Sequence, residues 1–240
     1  FANELKKGQI KVIKVDQDNN EIKLKGVEFK VYDEDNNLVD TLITDENGEA
    51  TSKRLRIDKK YIVQESKTLE NYVLNETPQT VTLTQDQITD ITFTNELEKG
   101  QIKVIKVDLD NKEVKLQGVK FDVLDENGKV LETITTDENG EAYTSRYAIR
   151  DYSKLTIREK ETLENYVLND TPQTVVLEAE QIKTVTFTNE LKKGQIKVIK
   201  VDQDNNEVKL KGIEFKVYDE DKNLVDTLIT DENGEATSKR

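Results

Sequence analysis

Gly8-Gln9-Ile10-Lys11-Val12-Ile13-Lys14-Val15-Asp16 recurs unchanged at residues 100–108 and 194–202. The copies start at 8, 100 and 194, so the period is 92 and then 94 residues. That is too long for a solenoid repeat and long enough for each unit to bury a core of its own. Alternate residues of a strand face opposite sides, which gives Lys14 the parity of Ile10 and Val12. Lys106 and Lys200 occupy the same place in the later copies. A lysine aimed where a core should be is the point from which the rest of the chain is read.

Outward from this stretch, Phe1-Ala2-Asn3-Glu4-Leu5 matches Phe93-Thr94-Asn95-Glu96-Leu97 and Phe187-Thr188-Asn189-Glu190-Leu191. Residues 1–5 therefore read as the last strand of a preceding repeat. Repeat one is expected at 6–97, repeat two at 98–191, and the N-terminal half of a third at 192–240. The chain reads as a window on a longer array.

Within a repeat the signals are β throughout. Short runs rich in Val, Ile, Thr, Tyr and Phe alternate with Asp, Asn and Gly clusters. Repeat one predicts strands at Gln9–Asp16, Glu28–Asp33, Leu38–Thr44, Ala50–Lys53, Lys60–Lys67, Gln79–Thr84 and Ile88–Asn95. Asp45-Glu46-Asn47-Gly48 predicts a hairpin whose Asn-Gly supplies positive φ, and it recurs at 137–140 and 231–234. Only 85–87 and 69–72 offer even one helical turn. Seven short strands in such a unit predict a Greek-key β-sandwich, and three units in tandem predict an all-β array. The junction between Asn95 and Ile102 holds one glycine, no proline and no serine. A junction so short predicts a stiff rod.

Composition narrows the function. The net charge is −13 with no histidine and no cysteine. Nucleic-acid binding needs an excess of clustered Lys and Arg, so that partner is not expected. The commonest general base, the thiol nucleophile and the usual zinc ligands are absent, and no cofactor motif or metal site is read. No apolar run is long enough for a membrane span.

Parity gives two further core-facing polar residues. Glu65 follows Tyr61 and Val63 at alternate positions, and Asn95 follows Ile91 and Phe93. Repeat two repeats the arrangement with Leu155, Ile157 and Glu159, and with Val185, Phe187 and Asn189. Burying an isolated charge costs several kcal/mol, so lysine and glutamate go inside only when compensated. Three arrangements satisfy this pattern: side chains reaching out at the strand ends, a buried Lys–Glu ion pair, or three groups that react.

The opening Ile-Lys-Val-Ile-Lys-Val-Asp, the late-strand Tyr61-Ile62-Val63-Gln64-Glu65, the closing Phe93-Thr94-Asn95 and the Asp-Glu-Asn-Gly-Glu-Ala hairpin resemble the Cna B-type domain. These are prealbumin-like sandwiches of Gram-positive surface adhesins and pilins. The family often follows the glutamate with Ala-Pro-x-Gly-Tyr, whereas this chain has Ser66-Lys67-Thr68-Leu69-Glu70-Asn71-Tyr72. The resemblance implies an autocatalytic isopeptide bond from Lys14 to Asn95 with Glu65 as catalyst, and from Lys106 to Asn189 with Glu159. Burial favours a neutral amine and a protonated carboxyl, and such an acid can polarise the amide carbonyl and shuttle a proton as ammonia leaves. Lys200 and Asn3 would be unpaired in this chain.

Two other features read as structural. Asp16-x-Asp18-Asn19 begins like a calcium loop, but Glu21 and Val27 stand where that loop needs glycine and glutamate, so it is expected to be an acidic turn. Tyr72 and Tyr166 are expected in the core. The function implied is a covalently locked stalk or fibre module at the surface of a Gram-positive bacterium. Its partners would be neighbouring repeats and other copies in a fibre. The alternative is an adhesive module for a host protein or glycan. It is not read as an enzyme, since the self-crosslinking is single-turnover.

Overall fold

The computed structural model describes residues 6–84 and 87–239. Residues 1–5, with Asn3, lie outside the described residues, as do 85 and 86 of the expected turn at 85–87. Among the described residues there is no helix. The expected turn at 69–72 is a β-turn, closed by Tyr72 N–H donating to Leu69 C=O, with Asn71 at φ 64°.

The first unit holds eight strands: β1 (Lys7–Asp16), β2 (Glu28–Tyr32), β3 (Leu38–Ile43), β4 (Glu49–Thr51), β5 (Leu55–Arg56), β6 (Lys59–Lys67), β7 (Gln79–Leu83) and β8 (Ile88–Asn95). They form two sheets. One runs β3-β2-β6-β7. In the other, β1 pairs with β4 and β5 on one edge and with β8 on the other. The sandwich closes over Ile10, Val12, Phe29, Val31, Val63, Leu83 and Phe93. The seven expected strands are present with ends moved by no more than two residues, and β5 is additional.

The β1–β8 pairing is parallel and unites the first and last strands of the unit. Lys14 stands opposite Phe93, and Asn95 stands opposite Asp16, two residues further along. Since residues two apart share a face, Lys14 and Asn95 are diagonal neighbours on the inner face of one sheet. The second unit repeats the arrangement in β9 (Lys99–Asp108), β10 (Lys120–Leu124), β11 (Val130–Thr135), β12 (Glu141–Tyr143), β13 (Tyr147–Ala148), β14 (Lys154–Glu161), β15 (Gln173–Val176) and β16 (Ile182–Asn189). There β9 and β16 pair in parallel, Phe187 opposite Lys106 and Asn189 opposite Asp108. The third contributes β17 (Lys197–Ile199), β18 (Glu214–Tyr218), β19 (Leu224–Ile229) and β20 (Glu235–Thr237), paired as β17-β20 and β18-β19.

The Asp-Glu-Asn-Gly turn joins β3 to β4, but the two strands lie in different sheets, so it is a tight crossover between the sheets and not the hairpin expected. Gly48 N–H donates to Asp45 C=O, and the Asp45 carboxylate accepts the N–H groups of Asn47 and Glu49. Gly48 alone takes positive φ, at 69°, so glycine does what was expected of the Asn-Gly pair.

The first two units meet closely. Leu97, between β8 and β9, is buried in the first core and bridges to Tyr72. Ala148, from the second unit, packs on the first core. The connection between the fifth and sixth strands is 57–58 in the first unit and 149–153 in the second. In that longer connection Arg150 donates to the Tyr72 hydroxyl at 3.0 Å and stacks over its ring at 5.9 Å. Tyr72 in turn donates to Asp16 at 2.9 Å. Lys99 adds ion pairs to Glu96 and Asp18. Tyr72 and Tyr166 are both buried, as core placement requires.

Candidate functional site

Lys14, Glu65 and Asn95 converge between the two sheets of the first unit. Lys14 is 0 % exposed, Asn95 1 % and Glu65 2 %. Of the three arrangements open to the sequence, reaching out to solvent is therefore excluded. β1 and β8 bring the lysine and the asparagine from one sheet, and β6 brings the glutamate from the facing one. Glu65 pairs in register with Phe29 of β2. The Phe29 and Phe93 rings, 4.9 Å apart and tilted by 50°, wall the pocket, with the Lys14 Nζ 6.0 Å from the Phe29 centroid.

The polar contacts are specific. Lys14 Nζ donates to Asn95 Oδ1 at 2.5 Å and lies 2.9 Å from Glu65 Oε2. Asn95 Nδ2 donates to Glu65 Oε1 at 2.6 Å and to the Thr68 hydroxyl at 2.6 Å. One carboxyl thus bridges the lysine amine and the amide nitrogen, each through its own oxygen. The Lys14–Oε2 contact is an ion pair off the hydrogen-bonding direction, which leaves that buried oxygen without a hydrogen bond.

The second unit repeats the constellation. Lys106 Nζ donates to Asn189 Oδ1 at 2.5 Å and to Glu159 Oε2 at 2.6 Å. Asn189 Nδ2 donates to Glu159 Oε1 at 2.5 Å and to the Thr162 hydroxyl at 2.6 Å. Phe121 and Phe187 form its wall, again 4.9 Å apart. Here the carboxyl hydrogen-bonds both nitrogens.

Burial pushes the Lys14 and Lys106 amines below the usual lysine value, against the opposing pull of the facing glutamate. A lysine kept from solvent carries a larger neutral fraction, and the neutral amine is the nucleophile. The carboxyl meets the amide at its nitrogen and not at its carbonyl oxygen. The carboxyl can therefore carry a proton from amine to amide nitrogen through its two oxygens; the hydrogen bond to the carbonyl oxygen comes from the lysine and not from the carboxyl. Thr68 and Thr162 escaped the sequence reading. Their one signal was a hydroxyl residue three positions after each glutamate.

Lys200 is partly exposed in β17's flank, and no side-chain partner engages it among the described residues. Asp16, Asp108 and Asp202 each accept two backbone N–H groups from their own turn, the acidic-turn geometry expected of them. Among the described residues there is no group of His, Cys, Asp or Glu suited to a metal and no helix long and apolar enough to cross a membrane.

The SpaA family, described as a prealbumin-like fold domain, matches residues 8–97, 100–191 and 194–240. Among solved structures, the Bacillus anthracis TIE protein superposes with a TM-score of 0.78 at 26 % identity, over 97 % of this chain and 43 % of that one. This chain therefore spans less than half of that structure. A Streptococcal ancillary pilin aligns over 79 % of this chain and 64 % of that one, at 24 % identity and a TM-score of 0.36. GBS52, the minor pilin of Streptococcus agalactiae, aligns over 78 % of this chain and 97 % of that one, at 19 % identity and a TM-score of 0.36. No curated protein matches the chain.

Proposed function

We propose, for a chain that belongs to the SpaA family of prealbumin-like fold domains, that it is a structural segment of a bacterial surface stalk or fibre, locked within each complete repeat by a Lys–Asn isopeptide bond. The observation that carries this is a buried carboxyl bridging an amine and an amide nitrogen, on strands that open and close the same unit. The bonds are Lys14–Asn95 and Lys106–Asn189, with Glu65 and Glu159 as proton carriers. The repeats are taken as 6–97 and 98–191, with 192–240 beginning a third.

The chemistry balances within the triad. Glu65 takes a proton from the Lys14 ammonium, leaving a neutral amine and a protonated acid. The amine attacks the Asn95 side-chain carbonyl carbon, and the Nζ–Cγ bond forms as the Cγ–Nδ2 bond breaks. The nitrogen leaves as ammonia, taking the proton it needs from the amine by way of Glu65. Strand pairing holds the partners together, replacing a bimolecular encounter by an intramolecular one. The reaction also removes a buried charge pair, which relieves its desolvation cost.

Mechanical sense follows from the parallel pairing of first and last strands. A pull on the two ends of a repeat acts at opposite ends of β1 and β8, loading them in shear. A covalent bond between those strands carries the load past the rest of the domain. It also closes a loop of 81 residues in the first unit and 83 in the second. In the chain-entropy picture each such closure is worth about 4–5 kcal/mol.

Intact-mass spectrometry tests the reading. Each bond should lower the mass by about 17 Da, the ammonia expelled when an amine displaces an amide nitrogen. The chain should be about 34 Da light, and Glu65→Gln should recover about half of that difference. A chain of unmodified mass would refute the proposal.

A further inference from the structure

We infer that Thr68 and Thr162 hold the departing nitrogen of Asn95 and Asn189, as a third side chain of the crosslinking centre in each repeat. This rests on the isopeptide reading and adds a residue to it. The Asn95 amide nitrogen has two N–H groups. One goes to Glu65 Oε1 and the other to the Thr68 hydroxyl, both at 2.6 Å. Asn189 divides its pair in the same way between Glu159 at 2.5 Å and Thr162 at 2.6 Å. Both donors of the future leaving group are thus spoken for before reaction, which fixes the plane of the amide against the lysine.

A hydroxyl suits this position for a chemical reason. The amide nitrogen is a donor only, because its lone pair is delocalised into the carbonyl. Once the amine has added, the nitrogen regains a lone pair and needs a proton. A hydroxyl accepts from the amide and, after rotating about its C–O bond, donates to the amine that the amide becomes. A carboxylate or a carbonyl oxygen could not make that change. No bond to threonine forms or breaks, and the proton that completes ammonia still comes from lysine through the glutamate.

Position also sets Thr68 apart. Lys14, Glu65 and Asn95 are closed off from solvent, whereas Thr68 and Thr162 are half-buried. The threonine is therefore the member of the cluster that reaches from the closed pocket toward the surface. Both threonines lie just beyond the sixth strand of their repeat, in the Thr-Leu-Glu-Asn-Tyr segment common to the two repeats.

The test follows bond formation in the full chain made by cell-free synthesis, quenched at intervals and mapped by peptide mass for the Lys14–Asn95 and Lys106–Asn189 crosslinks separately. Thr68→Ser and Thr68→Ala differ by one oxygen atom. The serine chain should crosslink repeat one within about threefold of the wild-type rate. The alanine chain should be slowed about tenfold or more, the factor corresponding to about 1.4 kcal/mol in the barrier. Repeat two, in the same molecules, keeps its rate and serves as the clock; Thr162→Ala should reverse the roles. Equal rates for serine and alanine, fast or slow, would overturn the inference, since the oxygen would then be irrelevant. A wild-type chain with no crosslink in either repeat would instead overturn the isopeptide reading itself.

Discussion

Gly48 lies against the backbone of Lys14 so closely that an added Cβ would stand 2.4 Å from the Lys14 carbonyl oxygen. The turn glycine and the buried lysine are thus one construction: Lys14 N–H donates to Gly48 C=O, and the Gly48 Cα lies against the Lys14 carbonyl. Gly140 and Lys106 repeat it at 2.5 Å, and Gly234 and Lys200 at 2.4 Å.

Gly48→Ala should therefore be costly on two counts. A φ of 69° is strained for a side chain, and the Cβ must displace a strand backbone that has no room to yield. We expect a loss of about 1–3 kcal/mol in repeat one, with slower crosslinking there and an unchanged rate in repeat two. Thermal melting and peptide mapping check this; an unchanged repeat-one crosslinking rate would show that the turn does not position Lys14.

Glu65→Gln and Glu159→Gln together should give a chain that keeps its amines, and its stability should rise with pH. Burial holds the lysines below their usual 10.5, and the glutamate charge that opposes burial is lost in the variant, so the amines fall further. With the folded value below the unfolded one, the unfolded chain binds more protons between the two. Stability is least below the folded value, climbs across the window and levels off near 10.5. Melting temperatures of this variant should rise with pH relative to wild type, whose amines the proposed bonds would consume; a parallel or opposite slope would contradict the buried-amine reading.

Tyr72→Phe should destabilise repeat one by about 1–3 kcal/mol, because the Asp16 carboxylate, 2 % exposed, loses a donor. Arg150→Ala should cost repeat one little, since a partly exposed cation–π contact is worth about 0.5–1 kcal/mol. Its effect belongs to the joint: the spread of angles between the first two repeats should widen. Residual dipolar couplings would register it, and identical alignment tensors in both chains would remove Arg150 from the joint.

Lys200→Arg should leave the mass deficit of the chain unchanged, while Lys14→Arg and Lys106→Arg should each cancel one share of about 17 Da. A deficit that changes with Lys200 would mean that it has a partner in solution.

Much of this was legible in the sequence because parity is local. Lys14, Glu65 and Asn95 could be assigned to the core from two apolar neighbours each, and the structure buries all three. The parallel pairing of β1 with β8 could not be read the same way, since it joins residues some eighty positions apart. β5 was missed because two residues carry no alternation, and its pairing with β1 supplies what its sequence does not. Thr68 gave only a hydroxyl at a matching offset, with nothing to say where it pointed. The carboxyl's contact also differs from the expected one: it meets the amide nitrogen and not the carbonyl oxygen, a detail of side-chain placement that strand parity does not reach.

The longer 149–153 connection of the second unit limits how the repeats can be interchanged. The residues of the candidate bond are shared by both complete repeats, so exchanging one repeat for the other would preserve every triad. It would not preserve the seam, because Arg150 occurs in one repeat only and its counterpart connection is 57–58. Repeats that are equivalent in their interiors are thereby made distinct at their borders. Recombination between such similar copies would conserve the fold of each bead while erasing the order in which they fit.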